Sequence, residues 1–186
     1  MKKVLVISGH PDLKISTANA AILAELAEKL PDAEIRKLDE LYPDYQFDVA
    51  AEQAALVKAD VIVFQFPFHW SSVPGLLKLY IDKIFLHSWA YGSSGKALVG
   101  KKLIFSATIG APENLYQKDA SFRHEPPEFG YFLEQFAALC NMTCAPMIYT
   151  CGMMYVPGVS PDSAKAEVIA KAKAQAQRVV EAVKND

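Results

Sequence analysis

No stretch of this chain approaches the ~20 consecutive apolar residues of a membrane-spanning helix, so nothing in it is expected to cross a bilayer. The basic start MKK leads into an apolar run of only Val4 to Ser8, too short for the core of a secretory signal. Excess charge is also missing. Nineteen lysines and arginines face 21 acidic residues for a net charge of −2, scattered along the chain, which argues against a nucleic-acid surface and against docking to basic redox partners. Cysteine is scarce: Cys140, Cys144 and Cys151 are an odd number late in the chain, better suited to reduced thiols in the cytoplasm than to a secreted disulfide framework. Cys140 and Cys144 are spaced to share a helix face, but two thiols make half a zinc site, and no metal site is expected. Glycine-rich phosphate signatures are absent too. The loop Gly9-His10-Pro11-Asp12 is neither G-x-G-x-x-G nor G-x-x-x-x-G-K-[ST], which weakens dinucleotide and Walker readings alike.

What is present is a regular alternation of strand and helix. Val4 to Ser8 is an all-apolar strand, followed by a turn and a helix with Ser16 as its expected N-cap. A helix starting directly after such a loop can bind an anion, because unpaired backbone N–H groups and the positive end of the helix dipole converge there; an ordinary capped helix is the other reading. Glu34 to Leu38 reads as a second strand, and Asp48 caps a helix to about Lys58. Val61 to Phe66, with no polar residue but Gln65, reads as a central parallel strand covered on both faces and ended by Pro67. Leu77, Tyr80, Ile81, Ile84 and Phe85 then form one helical stripe. Leu103 to Thr108 is a fourth strand, Pro126 to Cys140 a helix that includes both proline and Cys140, and Met147 to Cys151 a fifth strand. Ser160-Pro161 opens a last helix carrying Val168, Ala172, Val179 and Val183, with Pro161 expected at its first helical position. The 186 residues therefore read as one α/β domain spanning 1–186, a doubly wound five-stranded parallel sheet with helices on both faces. The expected strand order is 2-1-3-4-5, with ligand in the crevice at the carboxyl ends of the first, third and fourth strands. Phe68, His69 and Trp70 stand in that crevice and point to a flat aromatic ligand; packing of the loop against the sheet is the plainer alternative.

The segments VLVISGHPD with Ser16 to Asn19, LYPDYQFDVAAEQAAL, PFHWSSVPGLLKLYIDKIF and WAYG resemble the NAD(P)H:quinone oxidoreductases of flavodoxin-like fold. They are most similar to the ancillary flavoprotein subunits of glutathione-regulated potassium efflux systems, over nearly the whole chain. The resemblance implies that His10, Ser16, Thr17 and Asn19 hold a flavin phosphate, that Pro67, Phe68, His69 and Trp70 lie along the ring, that Thr108 and Gly110 approach its pyrimidine side, and that Tyr116 closes over the site. Tyr116 and His124 are then the candidates for catalysis and proton delivery. The chain departs from the pattern in reading Ile109-Gly110-Ala111 where many members have Thr-Gly-Gly, and in placing Phe122 where some have a histidine. The implied activity is a ping-pong hydride transfer from NAD(P)H through flavin to a quinone or similar electrophile. FMN is favoured because no carboxy-terminal extension would cover an adenosine; FAD stays open because the loop Pro11 to Ile15 leaves room for a pyrophosphate. The resemblance also implies a homodimer, and peripheral association with a potassium efflux transporter as an alternative role. Trp89 and Tyr91, in a glycine-flanked loop with no helical or strand period, are expected at the subunit seam together with the Phe122 to Phe129 loop.

Overall fold

The computed structural model describes residues 2–185. Its order is β1 (Val4–Ser8), α1 (Thr17–Lys29), β2 (Glu34–Lys37), the short α2 (Leu38–Leu41), α3 (Val49–Lys58), β3 (Val61–Pro67), α4 (Gly75–Ile84), β4 (Lys102–Thr108), α5 (Tyr131–Leu139), β5 (Thr143–Cys144), β6 (Ile148–Thr150) and α6 (Asp162–Lys184). All strand pairings are parallel, in the order β2-β1-β3-β4-β5, with β6 also on the outer side of β4. This is the doubly wound α/β, flavodoxin-like arrangement that the strand pattern predicts.

Alternation along each strand splits the core into two layers. Leu5, Ile7, Ile62, Phe64, Leu103 and Phe105 face α3, α4 and α5, where Leu56, Leu77, Tyr80, Ile84 and Leu133 meet them. Val4, Val6, Val61, Val63 and Ile104 face α1 and α6, where Ile22, Leu26, Val168, Val179 and Val183 close the second layer. Leu77, Tyr80 and Ile84 are fully buried while Lys78 and Asp82 pair at 2.6 Å on the wet side of α4, as the stripe requires. Each fully buried side chain of this size contributes about 1.5–3 kcal/mol. A buried carboxylate ties the outer elements together. Glu52 of α3 is inaccessible, is paired with Arg36 of β2, and accepts hydrogen bonds from Tyr42 (2.5 Å) and Tyr80 (3.0 Å).

Several boundaries differ from the sequence reading for identifiable reasons. The fifth strand is two pieces, Thr143–Cys144 and Ile148–Thr150, because Pro146 between them lacks the N–H a ladder needs. Cys144 therefore lies on a strand and does not share a helix face with Cys140. The helix expected from Pro126 begins as a 3-10 turn, Pro126–Gly130, and becomes α-helical at Tyr131, beyond Gly130. Pro161 is the N-cap of α6 and not its first helical residue. The Trp89 to Tyr91 loop, expected at the subunit seam because no period would bury its rings, packs them partly onto its own core: Ala90 is fully buried, while Trp89 and Tyr91 are half-buried, their rings 6.3 Å from Phe85 and 5.4 Å from His87.

Candidate functional site

The exits of β1, β3, β4 and β6 meet at one edge of the sheet and enclose a cleft of about 440 Å³. At the β1 exit the chain passes so close beneath α4 that a Cβ on Gly9 would stand 2.8 Å from Leu77 Cβ, so glycine is required there by space alone. His10 follows, 7 % exposed. Its Nδ1 accepts the Asp12 N–H at 3.1 Å, which leaves the proton of the neutral ring on Nε2. Burial lowers its pKa most, the neighbouring His69 lowers it further, and Asp39 and Asp12 oppose the shift.

Ser16 caps α1. Its Oγ accepts from the backbone N–H of Asn19 and from Asn19 Nδ2, both at 3.1 Å, so its hydroxyl hydrogen remains available to donate. The N–H groups of Thr17 and Ala18, at the first turn, have no intrahelical acceptor. Asn19 is 2 % exposed and committed elsewhere: besides Ser16, its amide donates to Thr108 Oγ1 at 3.0 Å and accepts from Gln65 Nε2 at 2.9 Å. It thus joins α1 to the ends of β3 and β4. Thr108 accepts that bond and keeps its own hydroxyl hydrogen for the cleft.

On the opposite side, Pro67 is buried and Phe68 half-buried, with Phe68 N–H bonded to Thr108 O at 2.8 Å. The next four residues form a tight turn in which His69 and Ser72 exchange backbone hydrogen bonds of 3.0 and 3.1 Å. Its two central residues, Trp70 (φ 52°) and Ser71 (φ 58°), are left-handed without being glycine, a strained geometry.

The cleft is lined by His10, Ser16, Thr17, Asn19, Pro67, Phe68, His69, Thr108 and Gly110, so nine of the anticipated residues come together from four separate stretches of sequence. Three do not. The turn throws Trp70 fully into solvent, outside the lining. Tyr116 is 7 % exposed, with Phe122 and Phe129 against its ring at 4.9 and 6.2 Å; Phe129 also contacts Phe68, so Tyr116 stands one ring removed from the cleft. His124 is exposed, paired with Glu128 at 2.6 Å. Burial raises the pKa of Tyr116, with a smaller contribution from Cys151.

Among the described residues, no carboxylate lines the cleft. One end offers hydroxyl and N–H donors at a helix start, and the other a proline-aromatic shelf, which together suit an anion joined to a flat ring. A larger hollow of about 560 Å³ lies on the other side of the first loop, but Asp12, Asp39 and Glu40 line it and would repel a phosphate.

The profile of a protein family described as flavodoxin-like fold matches residues 2–180. The chain belongs to this flavodoxin-like family. This flavodoxin-like chain is 43% identical, over 154 residues, to the glutathione-regulated potassium-efflux system ancillary protein KefF of Klebsiella pneumoniae (strain 342), covering 83% of this chain and 79% of that one. Among solved structures it is similar to general stress protein 14 of Treponema denticola in complex with FMN (28% identity, 98% and 99% of the two chains, TM-score 0.87). It is also similar to an NADPH-quinone reductase from P. pentosaceus (26% identity, 94% and 97%, TM-score 0.76).

Sequence reasoning missed the fourth wall of the flavodoxin-like cleft, formed by Met153, Met154 and Tyr155. Their signal was available: Gly152, with φ 67°, turns the chain directly after β6, and the exit of a last parallel strand belongs at the same edge. Gln65 was missed as well, although a lone amide inside VIVFQF marks a buried polar contact.

Proposed function

We propose that this protein is a flavin-dependent NAD(P)H:quinone oxidoreductase that takes hydride from NAD(P)H and passes it to a quinone or similar electrophile. One observation carries the reading: a cleft with no carboxylate among its described residues, at the carboxyl edge of a doubly wound sheet, joins a helix-start anion site to an aromatic shelf. His10, Ser16 and the first N–H groups of α1 would hold the phosphate of FMN, with Asn19 fixing their loop; Pro67, Phe68 and Gly110 would flank the ring. Bound there, the flavin supplies two-electron hydride chemistry. The protein contributes orientation, neutral donors and an edge open to substrate. FMN, which the Treponema denticola relative carries, satisfies the anion site with one phosphate. FAD is the second reading, since an adjoining hollow of about 450 Å³ shares Ser16 and Thr17 and adds Lys14 and Lys165. Extraction that returns only FAD would decide for it.

One cleft serving donor and acceptor in turn requires ping-pong kinetics. Parallel double-reciprocal lines with NADPH and a soluble quinone support this; intersecting lines refute it. No described helix is long and apolar enough to cross a membrane. The three cysteines are free thiols, with burial pushing the Cys151 thiol up to about 11, in keeping with a cytoplasmic location and without a nucleophilic thiolate. A second role, docking on a potassium efflux transporter, is favoured by the similarity to KefF; co-purification with the transporter tests it. We also propose a homodimer. With Trp89 and Tyr91 half-buried, the more exposed rings of Phe122, Tyr131 and Phe132 are the better candidates for its seam, and sedimentation of a Phe122→Ser/Tyr131→Ser variant should shift toward monomer.

A further inference from the structure

Hydride transfer to a quinone leaves an oxygen anion that needs a proton, and Tyr116 and His124, expected to deliver it, do not line the cleft. Among the described residues the titratable side chains that do are His10, His69 and Tyr155. His10 is 7 % exposed and uses Nδ1 to hold the Asp12 N–H, so it is poorly placed to refill from water. Tyr155 belongs to the anion end: it also lines the hollow beside Ser16 and Thr17, with Lys165 5.9 Å from its ring centre. His69 differs from both. It is exposed at the mouth of the cleft, directly after Pro67 and Phe68, and its imidazole makes no hydrogen bond within the described residues, leaving both ring nitrogens for a ligand. Its backbone is fixed by the reciprocal bonds to Ser72, across a turn held in left-handed geometry by two residues that are not glycine. Strain of that kind, about 1–3 kcal/mol per residue, persists where the position of a group matters.

We propose that His69 is the catalytic residue that protonates the acceptor oxygen. This rests on the oxidoreductase reading above. A flavin held in the cleft would supply the hydride at the expense of NAD(P)H; as the quinone accepts it, the imidazolium N–H bond of His69 breaks and the quinol O–H bond forms. The neutral ring then takes a proton from solvent. The groups that share the cleft with His69 are His10, 6.1 Å away centre to centre from the β1 loop, the neutral Thr108 and Gly110 at the exit of β4, and Met153, Met154 and Tyr155 beyond β6. Burial on its inner side lowers the pKa of His69, which makes the charged ring a stronger acid.

The test compares wild-type, His69→Gln and His69→Ala proteins loaded with flavin to equal occupancy, reading anaerobic reduction by NADPH and reoxidation by a quinone separately by stopped flow. Between about pH 5.5 and 8.5, the wild-type reoxidation rate should rise as pH falls through the histidine range. In His69→Gln it should be flat and about 10²-fold lower at the acid end, the lower bound for a general acid. Reduction by NADPH, which protonates no acceptor oxygen, should lose far less than reoxidation does, and added imidazole should restore reoxidation in His69→Ala. A His69→Gln protein with wild-type pH dependence, one that cannot hold flavin, or a slow His69→Ala protein indifferent to imidazole overturns the proposal. A wild-type protein that takes no flavin, or whose flavin NADPH does not reduce, overturns instead the reading on which it rests.

Discussion

Asn19→Ala should destabilise the protein itself, and not merely its hold on a ligand. The side chain bridges three elements: its amide donates to Ser16 Oγ and Thr108 Oγ1, and its carbonyl accepts from Gln65. Truncation leaves the Gln65 N–H buried without an acceptor, beside a Gln65 Oε1 that already has no protein partner. An orphaned buried donor costs about 1–3 kcal/mol. The two hydroxyls can turn to other partners, so those lost bonds add about 0.5–1.5 kcal/mol each. The sum, roughly 2–6 kcal/mol, is a large part of the ~5–15 kcal/mol that holds a domain folded. For a chain of this length it corresponds to a fall in Tm on the order of 10 °C. Urea unfolding of the flavin-free protein, with m checked for constancy, measures it. A variant within about 0.5 kcal/mol of wild type, the scale of a surface substitution, would refute the bridging role.

Ser16→Ala is the cleaner probe of the anion end: it should lose about 1 kcal/mol of capping energy and weaken FMN binding by roughly 10-fold or more, while riboflavin, which lacks the phosphate, binds as before. Titration of both ligands checks it. Glu52→Ala strips Arg36, Tyr42 and Tyr80 of their shared acceptor and should cost about 3–5 kcal/mol by denaturant unfolding, whereas Tyr42→Phe should cost far less. The flavin-free protein should lose stability as pH falls below about 6.5, because His10 and His69 bind protons more weakly folded than unfolded; below the unfolded value the unfolded chain takes up more protons. His10→Gln should flatten that slope in unfolding midpoints measured from about pH 7.5 to 5.5.

The sheet was legible because its strands are apolar runs of the right length and its helices carry regular stripes: β1 and the burial of Leu77, Tyr80 and Ile84 follow directly from pattern. The broken fifth strand was less so, since a proline between two short β-prone pieces resembles an ordinary strand end. Within the site, the residues next to strand ends were readable because topology brings those ends together. Trp70, Tyr116 and His124 were not: the first is turned outward by a left-handed backbone that no composition rule predicts for Trp-Ser, and the others depend on how a long loop packs onto Phe129. Asn19 looked like a phosphate donor in sequence, and only its contacts show that its hydrogen-bonding groups are already taken.

Anaerobic titration of the purified, FMN-loaded protein with NADPH tests the central claim most directly. The expected result is bleaching of the bound flavin by one equivalent of NADPH, without a build-up of one-electron absorbance, and full recovery of the oxidised spectrum when a quinone is added. A protein that does not retain FMN in the cleft, or whose bound flavin neither NADPH nor NADH bleaches, would contradict it.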